Sequence, residues 1–243
     1  CLLAYVAPII LTELSDRFLR MMIVKSVIKG LLGNDAGQSL GGTVIAAFAW
    51  IHPIPLILVW TQSIVFWSRV PATEIENGTI DILLSQPISR FRLFLHETII
   101  WLLCGIFLIG ACVCGNSLGS RFISSEHRLS FDTLLKIAVN LYGLYVVTGG
   151  VSCLFSAMSS RRGVAMGLPF IFVAISYLIN TLVPFWSAIQ TISFLSFMDY
   201  YKPLVIVRTP SWPFWDLSIL AGLSFVFWLA GLTVFSRRNL LTA

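Results

Sequence analysis

Hydrophobic residues run through this chain in long unbroken stretches, and charge is confined to the seams between them. Residues 36–68, 98–120, 137–160, 163–198 and 217–236 contain no Asp, Glu, Lys or Arg. A helix of about 20 residues crosses the hydrocarbon layer of a bilayer, so each stretch is long enough to span. A sixth apolar piece, Cys1 to Thr12, ends at Glu13 and Asp16. It is too short to span alone and reads as the tail of a truncated first helix, with upstream residues expected because the chain does not begin with Met. The expected spans lie near 1–13, 43–70, 97–119, 134–159, 163–186 and 214–236. They predict an all-α fold, a polytopic membrane helical bundle of about six helices forming one domain over 1–243.

The seams refine this picture. From Glu13 to Leu32, basic and apolar residues mix as in a helix lying at the interface, and the glycine-rich run from Gly33 to Gly42 predicts a connector. His52-Pro53-Ile54-Pro55 must begin or interrupt a helix, because proline lacks a backbone donor, so Pro53 to Val70 is the better spanning core. Trp50, Trp60 and Trp67 along this segment suggest rings placed among headgroups. The short turn Ser160-Arg161-Arg162-Gly163 makes the helices on either side antiparallel neighbours. Residues 187–198 extend the fifth segment beyond one crossing and suggest a re-entrant or interfacial piece, and the Pro203, Pro210 and Pro213 region reads as an irregular loop. Two pairs, Gly115-xxx-Gly119 and Gly163-xxx-Gly167, have the spacing that lets membrane helices approach closely.

Composition fits a membrane protein. Of 243 residues, 57% are hydrophobic and 11% charged, against roughly 25% charged in soluble domains. The net charge of +5 is scattered between apolar spans; it makes no stripe for nucleic acid and suits anionic lipid headgroups. Alternation across the bilayer places Arg69, Arg90, Arg92, Arg161, Arg162, Arg237 and Arg238 on one face and nine Lys or Arg in the longer loops of the other, so the count does not set orientation, while the Arg161-Arg162 and Arg237-Arg238 doublets at helix ends lean toward the first face as cytosolic. The five Cys lack the spacing of a disulfide framework or zinc site, and Cys112 and Cys114 point apart on a helix. Gly115-Asn116-Ser117-Leu118-Gly119 matches a nucleophile elbow by letter but closes a membrane helix, where that motif needs a strand-to-helix turn. No catalytic or metal-binding set emerges. Asn140, Tyr142, Tyr145, Gln62 and Asn180 are polar groups inside spans, expected to bond across helices or to line a path.

The most informative stretch is EIENGTIDILLSQPISRFRL, from Glu74 to Leu93. Asn77-Gly78 is a turn dipeptide whose glycine can take positive φ. Thr79 can cap a short helix with Asp81 in its first turn. Ile80, Leu83, Leu84 and Pro87 share a face at i, i+3, i+4, i+7, and that face needs a cover outside the bilayer core. Pro87 ends the helix, and Ser89 can cap the next, which leads through Arg90 and Arg92 into the third span. An amphipathic helix lying on headgroups satisfies the same periodicity.

This run resembles the coupling loop of ATP-binding cassette (ABC) transporter permeases of the type-2 exporter class. Their pattern reads Glu-x-Glu-x-Gly-Thr, then leucines, Ser, a spacer, Pro, Val or Ile, Ser and Arg. Glu74, Glu76, Gly78, Thr79, Leu83, Leu84, Ser85, Pro87, Ile88, Ser89 and Arg90 fall on those positions. Ser160-Arg161-Arg162, Ser196 to Tyr200 and Phe235 to Leu240 look more loosely like other parts of the family. His96-Glu97 departs from it, standing where a small residue followed by lysine is common, and the incomplete first helix departs too.

The resemblance implies a cell-membrane permease without a cofactor of its own, whose segment 74–92 docks on a separate cytosolic ATPase. It also implies a second permease half, identical or homologous, and an alternating-access path between the halves. The chain contains no G-x-x-x-x-G-K-[ST] loop, so ATP would be used by the partner. An intramembrane enzyme, or an accessory scaffold with no ATPase, is the competing expectation.

Overall fold

The computed structural model describes residues 47, 49–85, 88–122, 128–209 and 211–238; for Leu83, Leu84, Ser187 and Ala188 it describes the backbone alone. The expected span near 1–13, the interfacial segment to Leu32 and the connector to Gly42 lie outside these residues. The described residues are helical without strands, and five helical spans are long and apolar enough to cross a membrane: Ala49–Glu76, Arg90–Phe122, Phe131–Met158, Arg162–Leu182 and Phe214–Arg237. The chain is therefore an all-α helical bundle with the character of an integral membrane protein.

The first span is built around α1 (Pro53–Ser68), whose prolines sit in its opening turn, where their missing donors are not needed. The His52 ring accepts the Ile54 N–H at 3.4 Å and starts the helix. At its far end a π turn, Arg69–Thr73, includes an extended residue, Val70, and breaks the regular ladder. A single turn, Glu74–Glu76, ends this span, and a short helix, α2 (Ile80–Leu84), follows it.

The next helix, α3 (Arg90–Gly119), starts about two turns earlier than the charge-free stretch predicts, because Arg90, Arg92, His96 and Glu97 stay helical at the end of the span. Similarly α4 (Phe131–Met158) includes Asp132 and Lys136 in its first turns, paired at 2.5 Å. The turn after Met158 is as short as expected and leads into α5 (Arg162–Leu182). Residues beyond α5 fold as short turns, among them Ser193–Leu195 and Phe197–Tyr200. The proline region holds a helix, α6 (Pro203–Arg208), where an irregular loop was expected, because Pro203 occupies a first-turn position that costs no hydrogen bond. The last span is α7 (Phe214–Arg237).

The core is organised on α4. Its most apolar stretch is 72% buried, against 22% for α5 and 17% for α7, so α4 is the central post and both α5 and α7 keep a broad open face. Helices with no water to expel gain from close backbone packing, and here glycine provides it. A Cβ on Gly150 would lie 2.8 Å from the Ser224 carbonyl oxygen, and one on Gly231 would lie 2.7 Å from Cys153 Sγ. These two positions let α4 and α7 touch.

The glycine pair Gly163 and Gly167 does not do this: a Cβ added at either would meet no other part of the chain within 4 Å. Both sit on the open side of α5, and spacing alone does not say which side faces a neighbour. Gly115 and Gly119 are buried.

Several polar groups inside the spans bond across helices, which burial away from water favours, while Gln62 Oε1 and the indole nitrogens of Trp50, Trp60 and Trp67 are buried with no hydrogen-bond partner among the described residues. Trp101 Nε1 donates to Ser63 Oγ at 2.9 Å, Tyr145 OH to the Trp101 carbonyl at 2.7 Å, and Tyr142 OH to the Leu102 carbonyl at 3.1 Å. Trp228 Nε1 donates to Thr98 Oγ1 at 3.0 Å. These bonds join α1, α3, α4 and α7 around a ring cluster in which Trp101 stacks on Tyr145 with centroids 5.2 Å apart. Trp50, Trp60 and Trp67 are buried in the same core and not set among headgroups. Two of them find ring partners there: Trp60 meets Tyr177, and Trp67 meets Phe94 and Trp101.

Candidate functional site

The segment from Glu74 to Arg92 leaves the end of α1, turns sharply and returns into α3. The turn is made by Gly78, the one described glycine with positive φ, at +69°. Two bonds define it: Thr79 N–H to the Glu74 carbonyl at 2.9 Å and Gly78 N–H to the Ile75 carbonyl at 3.1 Å. That paired pattern around a left-handed glycine closes a helix C-terminus by occupying carbonyls that would otherwise be orphaned. The Asn77-Gly78 expectation is met, with the turn type now specified.

Thr79 stands in the N-cap position of α2 but does not cap it with its side chain. Its hydroxyl instead donates back across the turn to the Glu74 carboxylate. The turn brings Glu74 within reach, and a charged acceptor is the stronger partner. Asp81 lies in the first turn of α2 as expected. At the other end Ser85 donates its N–H to the Asp81 carbonyl at 2.9 Å and its hydroxyl to the Ile82 carbonyl at 2.8 Å. Ser89 caps α3 by accepting the Arg92 N–H at 3.3 Å, in line with the sequence.

Of the apolar face expected for α2, the structure describes the side chain of Ile80 alone. Ile80 is fully buried inside this chain, so its cover is its own bundle. The side chains of Leu83 and Leu84, and all of Pro87, lie outside the described residues. What stands out into the surroundings is Ile82 at 67% exposure, with Ile88 and Phe91 about half exposed. Periodicity did not single out these three, because Ile82 lies off the i, i+3, i+4 stripe and Ile88 and Phe91 belong to the following turn and helix.

Three connections meet at this end of the bundle. The Glu76 carboxylate accepts the Arg162 backbone N–H at 2.5 Å, at the first residue of α5. A carboxylate there satisfies an orphan donor and faces the positive end of the helix dipole. Arg90 donates to the Arg238 carbonyl at 2.8 Å. The Arg238 guanidinium donates to the Ala157 and Ser159 carbonyls at 2.8 and 2.9 Å and also reaches the Ser160 hydroxyl. A cation thus closes the C-terminus of α4 while an anion closes the N-terminus of α5, on the two sides of one short turn.

Arg69 pairs with Glu97 at 3.2 Å and lies over the Phe66 ring at 4.6 Å. The position where the sequence departs from the resembled pattern therefore holds an acid matched to the arginine that opens the π turn after α1. The contacts of Arg69, Arg90, Arg162 and Arg238 bring to this end four of the seven arginines that alternation assigns to one face. Sequence reasoning noted the Arg237-Arg238 doublet, but its clamp on α4 required the fold.

The opposite end is closed by the chain after α5. Asn140, fully buried, donates to the Tyr200 carbonyl at 3.0 Å and accepts the Lys202 N–H at 3.1 Å. Tyr201 OH donates to the Trp50 carbonyl at 2.9 Å, and Ser196 Oγ donates to the Ser176 carbonyl at 2.9 Å. Lys202 pairs with Asp216 at 3.5 Å.

Among the described residues no three His, Cys, Asp or Glu side chains gather as a metal site. Cys112 is buried and Cys114 exposed, so the two thiols face apart. Gly115 to Gly119 lie within α3 and form no nucleophile elbow. No protein-family model matches the chain, and no curated protein matches it.

Proposed function

We propose that the chain is the membrane-spanning half of an ABC-type exporter in the cell membrane, driven through segment 74–92 by a separate cytosolic ATPase and paired with a second permease half. The observation that supports this reading most is the sequence run from Glu74 to Phe91, whose described residues form a turn and a short helix between the first two apolar spans. It shows Ile82, Ile88 and Phe91 outward while Glu76 and Arg90 tie it to the bundle. Fully covering one such side chain is worth about 1.5–3 kcal/mol, which gives a docking partner a reason to bind. The two ties mean that a displacement of the segment is delivered to α5 and to the C-terminal end of α7. The chain's part is mechanical: it receives the push at 74–92 and opens or shuts a path formed with the second half.

The test is purification of the full chain from its native membrane, with identification of what accompanies it. A P-loop ATPase that co-purifies with the intact chain, and is lost with Ile82→Arg, is the expected result. A chain that purifies without any nucleotide-binding partner would favour the reading as an intramembrane enzyme or accessory scaffold.

A further inference from the structure

We infer that α5 is a transmission rod linking segment 74–92 to the turns that close the opposite end of the bundle, with Glu76 and Ser196 as its two ties. The inference takes its driving force from the docking reading above, but the link itself belongs to this chain alone. At one end the Glu76 carboxylate holds the Arg162 N–H at 2.5 Å. Fourteen residues further, roughly 21 Å along the axis at 1.5 Å per residue, Ser176 and Ser196 are paired at 2.7 Å. Phe172 stacks on the buried Phe197 nearby, with centroids 5.9 Å apart.

Between the ties α5 is lightly held. Its buried residues are Ala165, Pro169, Val173 and Ser176, one narrow stripe, whereas α4 is buried along most of its length. A helix gripped at two polar points and packed along one stripe shifts as a unit more readily than a central post does. Pro169 removes one bond from the ladder, yet the helix continues unbroken from Arg162 to Leu182. Glu76 is thus a positioning residue for the far end, acting through α5.

Coupling between two sites is reciprocal, which gives the test. The purified full chain in lipid nanodiscs, without nucleotide or partner, is followed by amide hydrogen exchange. Glu76→Ala is expected to speed exchange at residues 193–202 by about fivefold or more, the lower end of ordinary coupling, with α4 and α7 unchanged. Ser196→Ala is expected to speed exchange at residues 74–82 by a similar factor. Glu76→Gln, which keeps an acceptor for Arg162, should fall between Glu76→Ala and the parent.

An effect of Glu76→Ala confined to residues 160–166, or spread equally over every helix, would overturn the rod. So would a far-end effect with no reciprocal one. If Glu76→Ala does not fold, the Glu76→Gln and Ser196→Ala arms decide on the same criteria. Failure here leaves ATPase docking standing, and failure of docking leaves this link standing.

Discussion

Replacing Gly149 with alanine adds a single methyl group, and the structure says where it must go. The new Cβ would lie 1.8 Å from Trp101 Cζ2 and 2.3 Å from Cε2, where ordinary contact begins at 3.4 Å. The indole would have to retreat by about 1.6 Å, the difference of the two distances. It has nowhere easy to go: Trp101 is 2% exposed, bonded to Ser63, stacked on Tyr145 and packed against Trp67. Overpacking of this kind costs typically 1–3 kcal/mol, and losing the Trp101–Ser63 bond adds about 0.6 kcal/mol, the mean for interhelical bonds in membranes. Alanine returns up to about 1 kcal/mol of helix propensity. The net expectation is a loss of roughly 1–3 kcal/mol on those terms.

Denaturant-driven unfolding in bicelles measures it, with Gly110→Ala as the control because a Cβ added at Gly110 would meet no other part of the chain within 4 Å. The control should be neutral or slightly stabilising. Adding Trp101→Phe to Gly149→Ala should recover part of the loss, because the two sites touch and will not be additive. If Gly149→Ala proves as benign as Gly110→Ala, the packing argument for the core is wrong.

Two further outcomes follow from the opposite end of the bundle. Asn140→Leu keeps the branched shape, though not the volume, and leaves the Tyr200 carbonyl and the Lys202 N–H without their partner, at up to about 1–3 kcal/mol for each group. Hydrogen exchange should rise at residues 197–208 and leave the ladder of α3 unchanged. Burial first, and the nearby Cys112 thiol second, push the Tyr201 phenol up. Its folded value therefore lies above the unfolded value of about 10, so its contribution to stability is whole below pH ~10 and drains away as pH climbs beyond it. Tyr201→Phe should remove that alkaline loss, measured as stability against pH beside an ultraviolet tyrosinate titration.

The spans were legible because charge-free runs of 20 residues and more have few alternatives. Their ends were less so. A charge count stops α3 near Glu97, yet the helix begins at Arg90 because a charged side chain at a span end can stay at the interface while its backbone remains helical. Tryptophan position misled for the opposite reason: Trp60 and Trp67 could equally be headgroup anchors or core rings, and only the arrival of Tyr177, Phe94 and Trp101 decides it.

At the candidate site, local chemistry was readable in Gly78 and Ser89, whose roles depend on neighbours one to three residues away. The links from Glu76 to Arg162 and from Arg90 to Arg238 span 86 and 148 residues. No spacing rule reaches that far. The same limit applies to Thr79, which had a local cap available and formed a stronger bond across the turn.

The central claim is that the outward face of segment 74–92 meets an ATPase, and cross-linking at Ile82 tests it most directly. A photoreactive residue placed there in the full chain, activated in native membranes, should yield one dominant protein adduct carrying a P-loop, and the same probe at Phe107, exposed in the middle of α3, should not. Adducts to lipid alone at position 82, or labelling of that position by a membrane-impermeant reagent from outside intact cells, would contradict the account.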